Sequence, residues 1–289
     1  MLNILFIADV IGAPGRDVVQ ALLPELKRRY ALDLVVCNGE NSAGGFGLTR
    51  DSAAGLFEAG VDVLTGGNHL WDRKESLGYL SGEARLVRPA NLPPGTPGEG
   101  FRVVRAHDGT AVGIVNLLGR VFMKEADDPF RSIDAAIEAL RPQCRVILVD
   151  IHAETTAEKV ALGWHVDGRV SLVVGTHTHV QTADQRVLPG GTAFICDAGM
   201  TGGFDSVIGM DRQAALHRFL TGMPARLTPS TGDLRFNGVV VTVDTATGKA
   251  VSIQRLDIPY EAPSGGAARR LTGEEPAAAV RAAATVRVQ

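Results

Sequence analysis

A chain of 289 residues with 45% hydrophobic content can bury one large core with a small appendage, and its 21% charged residues are ordinary for a globular protein. A formal net charge of −3 offers no basic footprint, which argues against duplex DNA as a partner while leaving enzymes acting on nucleotides open. No apolar run approaches the ~20 residues needed to span a bilayer, and Cys37, Cys144 and Cys196 lack CxxC spacing, so no membrane partner, no disulfide framework and a cytoplasmic location are expected.

The chain begins directly on a strand-like run, LNILFIADV (2–10), without the basic and apolar segments of a signal peptide. A helix is expected over 15–30, then a strand over 32–38 and a helix over 49–59 with Thr49 at its N-cap. A strand at 61–67 precedes a helix at 72–81. Asp108-Gly109 lies between two β-rich runs and reads as a hairpin turn. Helices at 130–141 and 155–163, the latter capped by Thr155, flank a strand at 145–152 and lead to another at 169–177. Two further hairpins are expected, around Pro189-Gly190-Gly191 and around Ala246-Thr247-Gly248. Continuous strand hydrophobicity implies sheets covered on both faces, and parallel strands mixed with hairpins favour a two-sheet α/β sandwich. Residues 204–236, with a helix near 210–221, read as a small inserted lobe or cap on a domain spanning 1–260. The tail 261–289 is rich in Ala, Pro, Gly and Arg; partial disorder with a short helix near 275–284 is expected there.

The polar residues that break these apolar runs gather at strand ends, where open α/β architectures collect ligands. They are Asp9, Glu40 with Asn41, Asn68 with His69, His152, and the pair His177 and His179. Each alone has a plain reading: Asp9 a turn residue, Glu40 a solvated carboxylate, Asn68 a cap for a helix near Trp71, His152 a satisfied buried imidazole. Their conjunction does not. On an extended backbone, side chains at i and i+2 share a side, so the His177 and His179 rings are expected to face one pocket. Carboxylate, amide oxygen and imidazole without thiolate suit manganese, iron or zinc rather than an iron–sulfur cluster. Two metals sharing a carboxylate bridge serve phosphoester hydrolysis. Weaker candidates are Asp150 as a support for His152, Gly12, Gly15 and Arg16 as a phosphate loop, Arg120 as a phosphate contact, and Thr201, Gly202, Gly203 and Phe204 as pocket lining, with Phe204 stacking on a base.

The segments DVIGAPGR, NGENSAGGFGLT, GGNHLWD, VDIHAE, GTHTHVQTAD and DAGMTGGFDSVIGMDR resemble the YmdB-like branch of the calcineurin-like metallophosphoesterases, bacterial cyclic-nucleotide phosphodiesterases. The chain departs from the wider superfamily at Ile11, Glu40 and Leu70, departures it shares with that branch. The resemblance implies a sandwich of two mixed β-sheets flanked by helices. It implies two divalent or mixed-valence ions, iron or manganese with zinc as the alternative. One would be held by Asp9, Glu40, Asn41 and His179, the other by Glu40, Asn68, His152 and His177, with Glu40 bridging. His69 is implied as general acid, protonating the oxygen that leaves when a hydroxide held between the metals attacks phosphorus. The implied substrates are 2′,3′- or 3′,5′-cyclic nucleotides; a broader phosphatase or nuclease, or a nucleotide sensor with little turnover, are the competing readings. A homo-oligomer is compatible with the sequence and not decided by it.

Overall fold

A computed structural model describes residues 1–261. Its first half runs β1 (Leu2–Ile7), β2 (Asp9–Val10), α1 (Gly12–Arg29), β3 (Leu34–Asn38), α2 (Arg50–Ala59), β4 (Val63–Thr65), α3 (Ser76–Leu80), β5 (Leu86–Val87), β6 (Phe101–Arg105) and β7 (Ala111–Leu118). There follow α4 (Pro129–Leu140), β8 (Val146–His152), α5 (Thr156–His165), β9 (Leu172–Thr176), β10 (Arg186–Val187), β11 (Ala193–Ile195), β12 (Met200–Gly203), α6 (Arg212–Thr221), β13 (Leu234–Asp244) and β14 (Lys249–Pro259).

The strands form two mixed sheets. One has the order β2-β12-β13-β1-β3-β4-β5, with β14 paired to β13; the other has the order β10-β11-β9-β8-β7-β6. In the first, β1, β3, β4 and β5 are parallel and β13 runs antiparallel to β1. In the second, β7, β8, β9 and β11 are parallel, with β6 and β10 as antiparallel edges. Alternate side chains explain the layering. Leu2, Ile4, Phe6, Leu34 and Val36 meet Val112, Ile114, Leu148, Leu172 and Val174 between the sheets. Their neighbours Leu5, Ile7, Val35 and Cys37 pack instead with Val18, Leu22, Leu26 and Leu56 of α1 and α2. Val115, Leu117, Ile147, Val149 and Val173 pack with Ile133, Ile137, Leu140 and Leu162 of α4 and α5. Strands covered on both faces need no polar alternation, which is why their sequences read as continuous apolar runs. This four-layer sandwich is the expected fold.

Local chemistry sets the helix ends. Thr49 and Ser52 form a reciprocal capping box on α2, and left-handed Gly60 ends it. Asp128 caps α4 ahead of Pro129. Thr155 does stand at the N-cap of α5, but its side chain makes no capping bond. All three expected hairpins form, as β6–β7, β10–β11 and β13–β14.

Several boundaries differ from expectation. The run 2–10 breaks at Ala8 into β1 and β2, because β1 pairs with β13 while Asp9 and Val10 pair in parallel with Met200 and Thr201 of β12. The helix expected over 72–81 shrinks to α3, since residues 66–75 form turns that carry polar groups toward the sheet edge. The helix in 204–236 is α6, capped by Asp211. Of its residues only Ala215 is buried, and the segment joins the body through Met210, which clusters with Ile11, Met200, Phe46, Phe204 and Leu227. The tail helix near 275–284 lies outside the described residues. Cys37, Cys144 and Cys196 are all buried and unbridged.

Candidate metal centre

The carboxyl ends of the parallel strands from both sheets meet at one edge of the sandwich. Asp9 comes from β2, Glu40 and Asn41 from the turn after β3, and Asn68 and His69 from the turn after β4. His152 is the last residue of β8, and His177 and His179 follow β9. Asp9, Glu40 and His152 are fully buried.

The geometry converges on His152 Nε2. It lies 3.0 Å from Glu40 Oε1, 2.9 Å from Asn68 Oδ1 and 3.0 Å from His177 Nδ1. One ring nitrogen carries at most one proton and cannot satisfy three such neighbours. A cation at their focus would. Beside this group, Asn41 Nδ2 donates to Glu40 Oε1 at 3.2 Å and lies 3.4 Å from His179 Nε2, which is 3.6 Å from Asp9 Oδ1. Asp9 Oδ1 and Asn41 Oδ1 are buried without any hydrogen-bond partner among the described residues. Orphaned buried oxygens are costly, so two of them at one centre fit a cation-binding donor set. The seven side chains thus divide into two overlapping groups around Glu40.

The charges respond accordingly. Burial alone would raise the Glu40 carboxyl, but the His152 imidazole outweighs it and holds it below its usual range. Burial would lower His152, yet Glu40 foremost, with Asp9, lifts it to about 9. Burial, then the charge on His152, pushes His177 down to about 3. In the cation-free cluster these charges favour the protonated form of His152, and a divalent ion held there would compete with that proton.

His177 and His179 do not lie on extended backbone, contrary to the spacing argument. Strand β9 ends at Thr176, and both histidines adopt left-handed conformations, φ 96° and 63°. The turn sends the two rings to different groups: His177 to His152, His179 to Asp9 and Asn41. Such conformations cost about 1–3 kcal/mol each in non-glycine residues and persist only under external restraint. Asp9 Oδ2 accepts from His177 N at 3.3 Å, and Asp197 holds the residue between the two histidines. Asp197 Oδ2 accepts from Thr178 N at 3.1 Å, Thr178 Oγ1 at 2.6 Å and Lys159 Nζ at 2.8 Å, while Oδ1 accepts from Gly199 N at 2.8 Å.

Asp150 does not touch His152 directly. Its Oδ1 accepts from Thr176 Oγ1 at 2.7 Å, and that hydroxyl lies 2.9 Å from His152 Nδ1, so the support runs through Thr176. Arg16 braces the turn after β3 by donating to the Ser42 carbonyl. Arg120 pairs with Asp128 at 3.3 Å, and its amide binds Glu158. Neither lines the cavity at the centre. Gly12 packs on Pro229 and Gly15 against Thr201, so these glycines serve close packing rather than a phosphate loop. Thr201, Gly202 and Gly203 are spent on β12, and Phe204 lies under the Arg235 guanidinium, so none of them lines the cavity.

Three further contacts support the centre. His69 Nδ1 is 2.7 Å from Asp72 Oδ2, Glu154 Oε2 is 3.1 Å from His177 Nε2, and the ring of Phe46 meets His69 edge-on at 5.2 Å. The His-x-x-Asp spacing of GGNHLWD was a usable signal for the first. The centre opens into a cavity of about 760 Å³ whose far wall comes from residues 207–227.

A four-layer sandwich with mixed oxygen and imidazole donors at its strand ends defines a metallophosphoesterase-type protein. The chain belongs to the YmdB-like family, whose model matches residues 5–256. It is 49% identical over 255 residues to a 2′,3′-cyclic-nucleotide 2′-phosphodiesterase of Bacillus subtilis, covering 88% of this chain and 96% of that protein. A crystal structure of a hypothetical protein from Thermus thermophilus superposes with a TM-score of 0.84 at 43% identity, covering 90% of this chain and all of that one. A novel phosphatase from Mycoplasma pneumoniae does so with a TM-score of 0.84 at 37% identity, covering 89% and 93%. Among the described residues no helix is long and apolar enough to cross a membrane.

Proposed function

We propose that the chain is a metal-dependent phosphoric diester hydrolase acting on nucleoside 2′,3′-cyclic phosphates. The observation that carries this reading is the crowding of Glu40, Asn68 and His177 within 3.0 Å of a single ring nitrogen of His152, at the head of a substrate-sized cavity. The Bacillus subtilis relative, a 2′,3′-cyclic-nucleotide 2′-phosphodiesterase, supports the substrate class.

Asp9, Glu40, Asn41 and His179 would hold one ion, and Glu40, Asn68, His152 and His177 the other. Iron or manganese is the preferred pair, with zinc as the alternative, because the donors are oxygen and imidazole only. When bound, such ions supply an activated water and neutralise charge on the phosphoryl oxygens. The chain's own residues complete the chemistry. His69 is the general acid: Asp72 accepts from Nδ1, which fixes the ring and leaves Nε2 to protonate the departing ribose oxygen. The His69 amide donates to Glu40 Oε2 at 3.0 Å, which ties the turn carrying the acid to the turn carrying the bridging carboxylate. Residues 1–260 form one catalytic unit in this reading, with 204–236 as its cap. The unbridged cysteines support a reducing, cytoplasmic setting.

Metal-loaded protein assayed against bis-p-nitrophenyl phosphate, p-nitrophenyl phosphate and a cyclic-nucleotide panel tests the proposal. Preference for the diesters, and for 2′,3′-cyclic over 3′,5′-cyclic substrates, is the expected result. Preference for the monoester would overturn it.

A further inference from the structure

The cavity has two unlike ends. Glu40, Asn41, His177 and His179 line one; the other is mainly apolar, built from Phe46, Ile208, Met210, Phe219, Met223 and Leu227, with Arg218 as the one charged side chain beside them. Phe46 is held rigidly at the boundary. Arg73 donates from Nε to the Phe46 carbonyl at 3.0 Å and from Nη2 to the Ala43 carbonyl at 2.7 Å. Gly45 seats this loop against Met210 of the lobe with φ at 94°, a backbone conformation that favours glycine. Phe219 and Met223 stand opposite, 81% and 59% exposed, with no apolar cover despite facing the cavity. Exposed aromatic surface on a cavity wall is unfavourable unless a ligand covers it.

We infer that this wall is a nucleobase subsite, with Phe219 and Met223 as specificity-determining residues and Phe46 as the fixed face nearest the reacting end. The inference rests on the phosphodiesterase reading and goes beyond it. A nucleoside cyclic phosphate has the same polarity as the cavity, an anionic phosphate end and a flat apolar base. Stacking on an aromatic face tolerates every base, because each has a π-face. The enzyme therefore selects for the presence of a base rather than for one base, and binds a base-free cyclic diester less well.

The test compares kcat/KM of the metal-loaded full chain for 2′,3′-cyclic AMP and for glycerol 1,2-cyclic phosphate, which keeps the five-membered phosphate ring and lacks the base. Wild-type protein is expected to favour the nucleotide. In Phe219→Ala the ratio of the two falls about tenfold, chiefly through KM, the order expected for one lost stack. Phe219→Trp restores it, and Met223→Ala gives a smaller loss in the same direction. Phe219 is exposed, so its variants test the subsite without disturbing the core. Equal kcat/KM for both substrates in the wild type, or an unchanged ratio in Phe219→Ala, overturns the subsite. An unchanged ratio with an altered oligomeric state assigns the α6 face to protein contacts and overturns it equally. If wild type hydrolyses neither substrate, the phosphodiesterase reading itself fails, a distinguishable result.

Discussion

Gly67 offers a sharp test of the centre, because a single methyl group there has nowhere to go. A Cβ at this position would lie 2.2 Å from Glu40 Oε2, 2.6 Å from Glu40 Cδ and 2.6 Å from His152 Cδ2. Gly67 does not use a left-handed conformation, so Gly67→Ala carries no backbone strain and its effect is purely steric. Glu40 and His152 are fully buried and cannot swing into solvent. Ordinary contact of about 3.5 Å requires a displacement of roughly 1 Å. Overpacking of this kind costs about 1–3 kcal/mol, which lowers Tm by roughly 2–10 °C in a chain of this size. A displacement of about 1 Å at a reacting centre costs on the order of 10² in rate. The expected variant is folded, holds one metal or fewer where the proposed wild-type centre holds two, and has lost about two orders of magnitude in kcat/KM. Elemental analysis, thermal melting and diester hydrolysis read the three effects. A variant with full metal content and kcat/KM within about twofold of wild type would refute the shared-carboxylate centre.

His177→Ala and His179→Ala should each leave about one metal per chain while emptying different positions, which anomalous difference maps at the metal edge distinguish; loss from the same position in both variants contradicts the division around Glu40. His69→Ala and Asp72→Ala should slow 2′,3′-cyclic AMP hydrolysis by roughly 10²–10⁴ and spare bis-p-nitrophenyl phosphate, whose nitrophenolate leaves without a proton; equal losses on both substrates would remove the acid role. Lys159→Met leaves the buried Asp197 without its counter-charge, and chemical denaturation should record about 3–5 kcal/mol of lost stability. In the metal-free protein His152 is lifted from 6.5 to about 9, so its contribution to stability is full below pH 6.5 and is lost as pH rises to about 9. Metal affinity should move the other way over that window, rising with pH as the competing proton leaves; calorimetry in two buffers of different ionisation enthalpy reads the released proton.

Much of the candidate site was legible because residues with metal-ligating side chains follow apolar strands at their ends, a local pattern. Asp9, Glu40, Asn41, Asn68, His152, His177 and His179 all reach the same sheet edge. The supports were not legible. Asp197 lies 19 positions from Thr178 in sequence, and Asp150 is joined to Thr65 across 85. Phe204 lies away from the cavity because its neighbour Arg235 arrives from β13, a partner that local sequence does not supply.

The layers follow from local sequence alone. Strands buried on both faces, helices with one apolar stripe and glycine-marked hairpins are decided within a few residues by the 2.0 and 3.6 periodicities of strand and helix. The parting of His177 and His179 is a product of the assembled fold. Spacing predicts two rings on one side of an extended chain; Asp9, Asp197 and Lys159, packed from elsewhere, hold that chain in a left-handed turn instead. A backbone conformation that is locally unfavourable cannot be read from local sequence, because the energy that sustains it comes from distant contacts.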